Sequence, residues 1–194
     1  MPARLARRSF LAAAGAGLAP WPAAAAADQL HIGAARGTID FAIGDSKIFR
    51  TTGSFKDWHG TVRVNDVDVP KSSVDVVVKT GSILMIDDDQ TAMLKDGDFF
   101  DVDRFPQMTF RSTEVERTGE QKLKVTGDLT LRGIRKPMVL AVTVSDRVPE
   151  APPGARYARF VCKGSLKRSD YGMTKYVDMV GDTVEIAIRT DAWR

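Results

Sequence analysis

The sequence predicts an all-β protein whose strands form an antiparallel barrel or sandwich. Three observations lead to this prediction. Apolar and polar residues alternate with a period of two in nine short segments, which is typical of strands with one buried face. Turn-forming pairs such as Asn65-Asp66 and Gly181-Asp182 separate the segments. Helical patterns do not alternate with the strands, so a parallel α/β fold is not indicated.

Residues 1–27 are predicted to be a cleaved leader that lies outside the fold. A basic start is followed by a short apolar run and then by small residues, which is the pattern of a secretory signal peptide. The pair Arg7-Arg8 resembles a twin-arginine (Tat) signal. We therefore expect cleavage near Ala27, export to the periplasm and a single domain over residues 28–194.

The strands are predicted from their alternation, and one hairpin is especially clear. Every second residue of its two strands is apolar, with Leu129 and Leu131 in the first strand and Leu140 and Val142 in the second. These side chains should therefore face the interior, while Thr130 faces solvent. The nine predicted strands are 37–43, 49–55, 61–65, 73–79, 107–115, 122–131, 137–145, 158–167 and 183–189.

One segment breaks the alternation and predicts a short helix near the barrel mouth. Asp88 or Asp89 can cap a helix whose body is residues 90–95, and Gly97 stands where a left-handed residue would end it. Such a helix would plug or line one end of a barrel.

The pattern leaves the content of the interior open. A barrel of about eight strands is wide enough either to be filled by side chains or to hold one small ligand. Cys162, the single cysteine, alternates in register with Phe160 and Leu166, and we interpret it as a small interior hydrophobe.

Composition argues against two classes of partner. The chain has 28 Lys and Arg against 25 Asp and Glu, and three of the arginines lie in the leader, so the mature chain has a net charge near zero. Lys and Arg are not clustered on one element, so nucleic acid is not a predicted partner. A polybasic attraction to anionic membranes is not indicated either.

Catalytic and metal-binding patterns are weak. Asp57 and His59 could share a strand face, which leaves a hydrolase-type enzyme as an alternative, but a surface histidine is the preferred interpretation. The acidic residues around 87–98 do not have calcium-loop spacing. We predict no metal site and no cofactor apart from a non-covalent ligand.

An aromatic run follows the predicted helix. Phe99, Phe100 and Phe105 are interleaved with acidic residues. They are expected either to pack the helix on the barrel or to form the lip of an apolar mouth, and the two roles are compatible.

Three motifs, FFDV-x-x-FP-x-x-TF, GDLTL-x-G-x-x-KP and RSDYG, lie within the blocks 93–110, 125–140 and 160–173. With the block 53–62, they resemble the YceI-like family in order and spacing. The resemblance implies a periplasmic, lipocalin-like antiparallel β-barrel of about eight or nine strands whose apolar pore holds a polyisoprenoid or an isoprenoid quinone. Gln90-Thr91 departs from the Arg-Asp often found in the family. The role of Arg168 and Asp170 of RSDYG is left open; one interpretation is that they pair with each other at a strand end.

The resemblance favours a carrier or storage protein for an isoprenoid lipid, without a catalysed reaction. Transient membrane contact and a homodimer are compatible with this role. A further alternative is an interaction module with a closed core that docks a membrane respiratory partner. The residues expected to line the barrel interior or mouth are Phe41, Met93, Phe100, Phe105, Met108, Phe110, Gly127, Leu129, Leu131, Met138, Leu140, Val142 and Phe160.

Overall fold

The computed structural model describes residues 28–44 and 50–194, so the predicted leader lies outside the described residues. These residues form eleven strands and two short helices. The strands are β1 (Asp28–Gly33), β2 (Gly37–Ile43), β3 (Thr51–Phe55), β4 (Trp58–Val64), β5 (Ser73–Lys79), β6 (Ile83–Met85), β7 (Gln107–Gly119), β8 (Lys122–Leu131), β9 (Ile134–Ser145), β10 (Arg156–Lys167) and β11 (Thr183–Trp193). The helices are α1 (Asp88–Lys95) and α2 (Val177–Val180).

Eight of the strands close an antiparallel barrel, which confirms the predicted fold class. The barrel order is β1-β4-β5-β7-β8-β9-β10-β11, and β1 then meets β11. The pairing of β1 with β4 runs from Asp28 opposite Val64 to Gly33 opposite His59, whereas the pairing of β1 with β11 is the bridge between His31 and Trp193. The strands β2, β3 and β6 extend the sheet from β11.

The connections divide the barrel into two ends that differ in structure. We call the end that has α1, residues 96–106 and residues 168–182 the helix end. The opposite end, with the connections 65–72, 120–121 and 146–155, is called the loop end. Strands of 10 to 13 residues, as in β8 and β7, rise about 3.3 Å per residue and tilt by about 40°, so the barrel is roughly 25–30 Å high.

Two strands were not predicted. In β1, Leu30 and Ile32 do point inward, but the segment directly follows the alanine-rich leader and offers few alternating positions. The strand β6 has three residues, which is too short for a period of two to be recognised. The predicted strand 49–55 begins at Thr51 in the structure, and residue 49 lies outside the described residues.

The helix α1 forms where it was predicted, but its caps differ. Asp87, and not Asp88 or Asp89, is the N-cap, because its carboxylate accepts a hydrogen bond of 2.8 Å from the backbone N–H of Gln90. The prediction for Gly97 was wrong: the helix ends at Asp96 with extended backbone geometry, and Gly97 has no positive φ.

Side chains that point inward give the barrel its apolar core. One buried cluster lies around Leu30, Trp58 and Tyr157, and a second around Val115 and Leu131. No helix among residues 28–44 and 50–194 has the length and apolar character needed to cross a membrane.

Candidate functional site

A cavity of about 600 Å³ lies inside the barrel and extends towards both ends. Its middle is lined by aliphatic side chains such as Val62, Val76, Leu140 and Ile188, contributed by strands all around the barrel. The alternation seen in the sequence is the cause, since each strand places every second residue on this inner face. A volume of this size lies in the range of small-molecule sites in proteins.

Most residues that the sequence indicated do line this cavity. The predicted residues on its wall are Phe41, Met93, Phe100, Met108, Phe110, Leu129, Leu131, Met138, Leu140, Val142 and Phe160. Thr130 lies on the other face of β8, as predicted. The sequence therefore identified the correct face of each strand in the hairpin of β8 and β9.

Phe105 does not line the cavity, so its assignment to the mouth was wrong. Its ring lies against Gly133, where an added Cβ would stand 3.2 Å from the ring, and the Arg104 guanidinium covers it at 5.1 Å. Its carbonyl accepts a 2.6 Å hydrogen bond from the Thr80 hydroxyl. Phe105 thus packs residues 96–106 onto the outside of the barrel end.

Gly127 faces inward but is covered, which corrects its assignment to the cavity wall. A Cβ at this position would stand 2.5 Å from the Phe110 ring and 2.5 Å from the carbonyl oxygen of Arg111. The phenylalanine side chain therefore occupies the space that the glycine leaves, and Phe110 forms the wall there instead.

At the loop end a polar cluster links two connections. The Asp66 carboxylate accepts hydrogen bonds from the Arg147 guanidinium and from the Tyr157 hydroxyl, the latter at 3.1 Å. Arg147 also donates to the Tyr157 oxygen at 2.9 Å. Burial raises the pKa of Tyr157, so its hydroxyl stays protonated at neutral pH.

At the helix end other contacts link the connections. The Lys175 ammonium binds the Asp98 carboxylate at 2.5 Å, and the rings of Phe99 and Tyr176 lie 6.4 Å apart. These contacts hold residues 96–106 against the segment that contains α2. Phe100, next to Phe99, packs edge-on to Phe55 at 5.5 Å inside the barrel.

The sequence left the role of Arg168 open, with pairing to Asp170 as one interpretation, and the structure does not support that pairing. Arg168 is buried and donates to the carbonyl oxygens of Gly181, Met173 and Lys175 at 2.9, 3.1 and 2.7 Å, whereas Asp170 is exposed. Burial lowers the pKa of the Arg168 guanidinium. Arg168 lines the cavity, a role that its position in a polar motif did not predict.

The residues at the start of α1 also differ in role. Gln90 lines the cavity. Thr91 instead fixes α1 to the sheet, since its hydroxyl accepts a 3.0 Å hydrogen bond from the backbone of Met85 and donates one of 2.9 Å to the carbonyl of Asp87.

Cys162 lies on β10, the strand between β9 and β11, and its side chain is part of the cavity wall. Its surface is partly open to the cavity while protein surrounds it on all other sides. This burial raises the pKa of the thiol to about 12, so almost none of it is thiolate at neutral pH.

Asp57 and His59 lie outside the cavity. The Asp57 carboxylate is bound by the Lys79 ammonium at 2.6 Å, and His59 is exposed on β4 opposite Val77. Within the described part of the chain, no group of three or more His, Cys, Asp or Glu side chains could hold a metal ion.

Comparison with known proteins gives a consistent family match. The model of the YceI-like domain matches residues 30–192. A UPF0312 protein of Pseudomonas savastanoi is 34% identical over 135 residues, which is 70% of each chain. The crystal structure of Burkholderia cenocepacia BcnA superposes with a TM-score of 0.71 at 25% identity, over 83% of this chain and 98% of that one. A polyisoprenoid binding domain from Saccharophagus degradans gives a TM-score of 0.63 at 13% identity, over 86% and 98%, a likeness of fold alone.

Proposed function

The chain belongs to the YceI-like family, and on that premise we propose that its barrel binds an isoprenoid lipid non-covalently, as a carrier or storage protein. The ligand is a polyisoprenoid or an isoprenoid quinone. The observation that supports this most is the apolar cavity of about 600 Å³ that extends between the two ends of the closed barrel.

The energetics of burial fit an isoprenoid chain. Removing hydrocarbon from water contributes about 0.8 kcal/mol per CH2-sized group, so one five-carbon unit could contribute roughly 4 kcal/mol before the costs of ordering the chain. The middle of the wall offers aliphatic and aromatic side chains and few polar groups, which suits a hydrocarbon tail. The Saccharophagus degradans neighbour is described as a polyisoprenoid binding domain, and the same ligand class is proposed for this chain on the chemistry of its own cavity.

The alternatives receive less support. An interaction module with a closed core does not fit an interior that contains a cavity. A hydrolase that uses Asp57 and His59 would have to act away from this cavity, with its carboxylate already bound to Lys79.

The proposal includes export to the periplasm through the leader and transient contact with a membrane, since the lipid must be collected from a bilayer. An apolar surface suitable for such contact lies at the helix end. Met179 of α2 is 81% exposed, and its neighbours Tyr176 and Val180 are partly exposed while also lining the cavity. Tyr176 and Val180 therefore connect the proposed contact surface with the cavity wall.

Two measurements test the function. Organic extraction of the purified protein followed by mass spectrometry should recover an isoprenoid lipid. Titration of delipidated protein with prenyl alcohols of increasing length should then give an affinity that rises with each unit and levels off when the cavity is full.

A matched pair of variants localises the binding. Val142→Phe places a ring on the cavity wall beside Cys162 and Leu123, so it should shorten the longest chain that still gains affinity. Val139→Phe, on the outer face of the same strand at 48% exposure, should leave the length profile unchanged. A flat length profile together with an extract free of lipid would refute the proposed function.

A further inference from the structure

Arg168 is a buried cation without a neutralising carboxylate. It is 6% exposed, and among the described residues no Asp or Glu oxygen lies within 4.0 Å of its guanidinium. The acidic residue whose charge acts on Arg168 is Asp182. Its carboxylate is already hydrogen-bonded, because it accepts from the backbone N–H of Ser169 at 2.9 Å and from the Ser169 hydroxyl at 2.8 Å. A buried charge without a partner is costly, so an additional acceptor at this position would be stabilising.

One nitrogen of this guanidinium is available for such an acceptor. Nε and Nη1 donate to the carbonyls of residues 173, 175 and 181, whereas Nη2 has no hydrogen-bond partner within the described part of the chain. Nη2 is not one of the unpaired side-chain atoms that are fully buried, so part of its surface is accessible. Because Arg168 is one of the residues that line the cavity, a ligand held there is the acceptor considered for this donor.

The charges on the cavity wall are distributed unequally between its ends. The wall at the loop end has three acidic residues, Asp66, Glu120 and Asp146, against the two cations Arg117 and Arg147, and Asp66 is bound to Arg147 there. The charged residues on the wall at the helix end are the two cations Arg168 and Lys175. The charges on the wall are therefore net positive at the helix end and slightly net negative at the loop end, so an electron-rich group is favoured at the helix end.

A second unsatisfied donor lies at the same end. Trp58 is the first residue of β4, next to Asp57, whose carbonyl accepts from Lys79. It is 3% exposed and lines the cavity, and its indole N–H has no acceptor among the described residues. Buried donors without partners are rare in native proteins, so the helix end has donor groups in excess of acceptors.

Resting on the proposed function, we infer that the lipid is held with its polar headgroup at the helix end, where Arg168 donates from Nη2 to a headgroup oxygen, and with its chain directed towards the loop end. The headgroup class is a neutral carbonyl, such as that of a quinone ring. A pyrophosphate would bring more than one negative charge to a single unneutralised guanidinium, since Lys175 is already bound to Asp98, and the excess charge would be buried without a partner.

Affinity measurements test the headgroup class. Four probes with prenyl chains of equal length are used: a benzoquinone, an alcohol, a pyrophosphate and the plain hydrocarbon. The quinone should bind most tightly. Arg168→Gln should weaken quinone binding by about tenfold or more, as for loss of a hydrogen bond from a charged donor, and should leave hydrocarbon binding unchanged. Lys167→Gln removes the same charge from the adjacent exposed position and should change neither affinity.

A measurement on protein with Arg168 intact tests the orientation, in case Arg168→Gln does not fold. In the full chain with Trp21→Phe and Trp193→Phe, Trp58 is the single tryptophan. A quinone ring at the helix end should quench most of its emission, whereas the alcohol of equal chain length should not.

The outcomes separate this inference from the proposed function. If none of the probes binds, the proposed function fails. If the probes bind but Trp58 keeps its emission at saturating quinone, or if quinone and hydrocarbon bind equally well, the lipid-binding function stands and the assigned headgroup position is wrong.

Discussion

The ring of Phe110 lies over the bare backbone of Gly127, its diagonal neighbour on the adjacent strand. The registers that bring them together pair Phe110 with Leu129 and Ser112 with Gly127. An aromatic ring that covers an interior glycine is a known way of stabilising a strand that lacks a side chain at that position. Here the pair also determines the local width of the cavity.

Gly127→Ala should therefore destabilise the protein. The new methyl group would stand 2.5 Å from both the Phe110 ring and the Arg111 carbonyl oxygen, and overpacking of this kind costs about 1–3 kcal/mol. The free energy of unfolding in urea measures the effect. Gly81→Ala is the control, since a Cβ there meets no atom within 4 Å and stability should be nearly unchanged. Equal unfolding midpoints for the two variants would contradict the close packing at Gly127.

Leu140→Ala should cost about 2–5 kcal/mol in the lipid-free protein, because Leu140 is buried on the inner face of β9. The cost should fall when a bound lipid fills the vacated space. Thr130→Gln, on the outer face of β8, should be close to neutral. Chemical unfolding with and without ligand measures both effects, and a costly Thr130→Gln beside a harmless Leu140→Ala would mean that the strand faces are reversed.

Cys162 should react slowly with alkylating reagents at neutral pH. Its pKa of about 12 in the folded protein predicts a rate that keeps rising with pH up to that value, whereas the unfolded thiol should level off near its ordinary pKa of about 8.5. The folded thiol also keeps its proton to a higher pH than the unfolded thiol does. Its protonation therefore contributes to the free energy of unfolding below about pH 9, and this contribution is lost as the pH rises towards 12.

Mass spectrometry of the alkylated protein as a function of pH measures these rates. Bound lipid should slow the reaction further, because Cys162 lies on the cavity wall. Fast alkylation of the folded protein at neutral pH would show that the thiol is not buried as described.

Tyr157→Phe should lower stability by about 0.5–1.5 kcal/mol, because it removes the hydroxyl that bonds Asp66 and Arg147 at the loop end. Tyr176→Phe is the matched control. Its ring contact with Phe99 is retained, and its hydroxyl makes no hydrogen bond within the described residues. Thermal unfolding compares the two variants; a control that loses as much stability as Tyr157→Phe would argue against the polar cluster as a clamp.

Export should depend on the paired arginines of the leader. Replacing Arg7 and Arg8 with lysine keeps the charge but removes the pattern that resembles a twin-arginine signal, so periplasmic accumulation should fall sharply. Fractionation of cells that express each form measures this. Normal export of the double variant would indicate a general secretory signal instead.

The strand faces could be predicted from the sequence because the cause is local. Successive side chains of a strand point to opposite faces, so Leu129 and Leu131 point inward while Asp128 and Thr130 point outward. This alternation is a property of the strand itself and does not depend on distant residues. The closed barrel itself is less local: β1 joins β4 and β11 from the far end of the chain, and six residues next to an alanine-rich leader do not reveal that pairing.

The polar parts of the site could not be predicted for a related reason. Arg168 follows a strand and precedes a serine and an aspartate, which is typical of a surface turn. It is buried because carbonyls of residues 173–181 fold back over it, and no residue pattern indicates where a carbonyl group will lie. The covering of Gly127 by Phe110 likewise depends on a register that contains a bulge between Ser112 and Glu114.

The bridge between His31 and Trp193 has a consequence for how the barrel assembles. It joins the first described strand to the last one, so the ring of strands cannot close until nearly the whole chain has been made and the other pairings are in place. Such a long-range contact has a large entropic cost of loop closure, so it forms late in folding. Until then β1 and the end of β11 are unpaired edges, which are sites of aggregation. A chain that ends before β11 should therefore fold into an open sheet that associates with other copies.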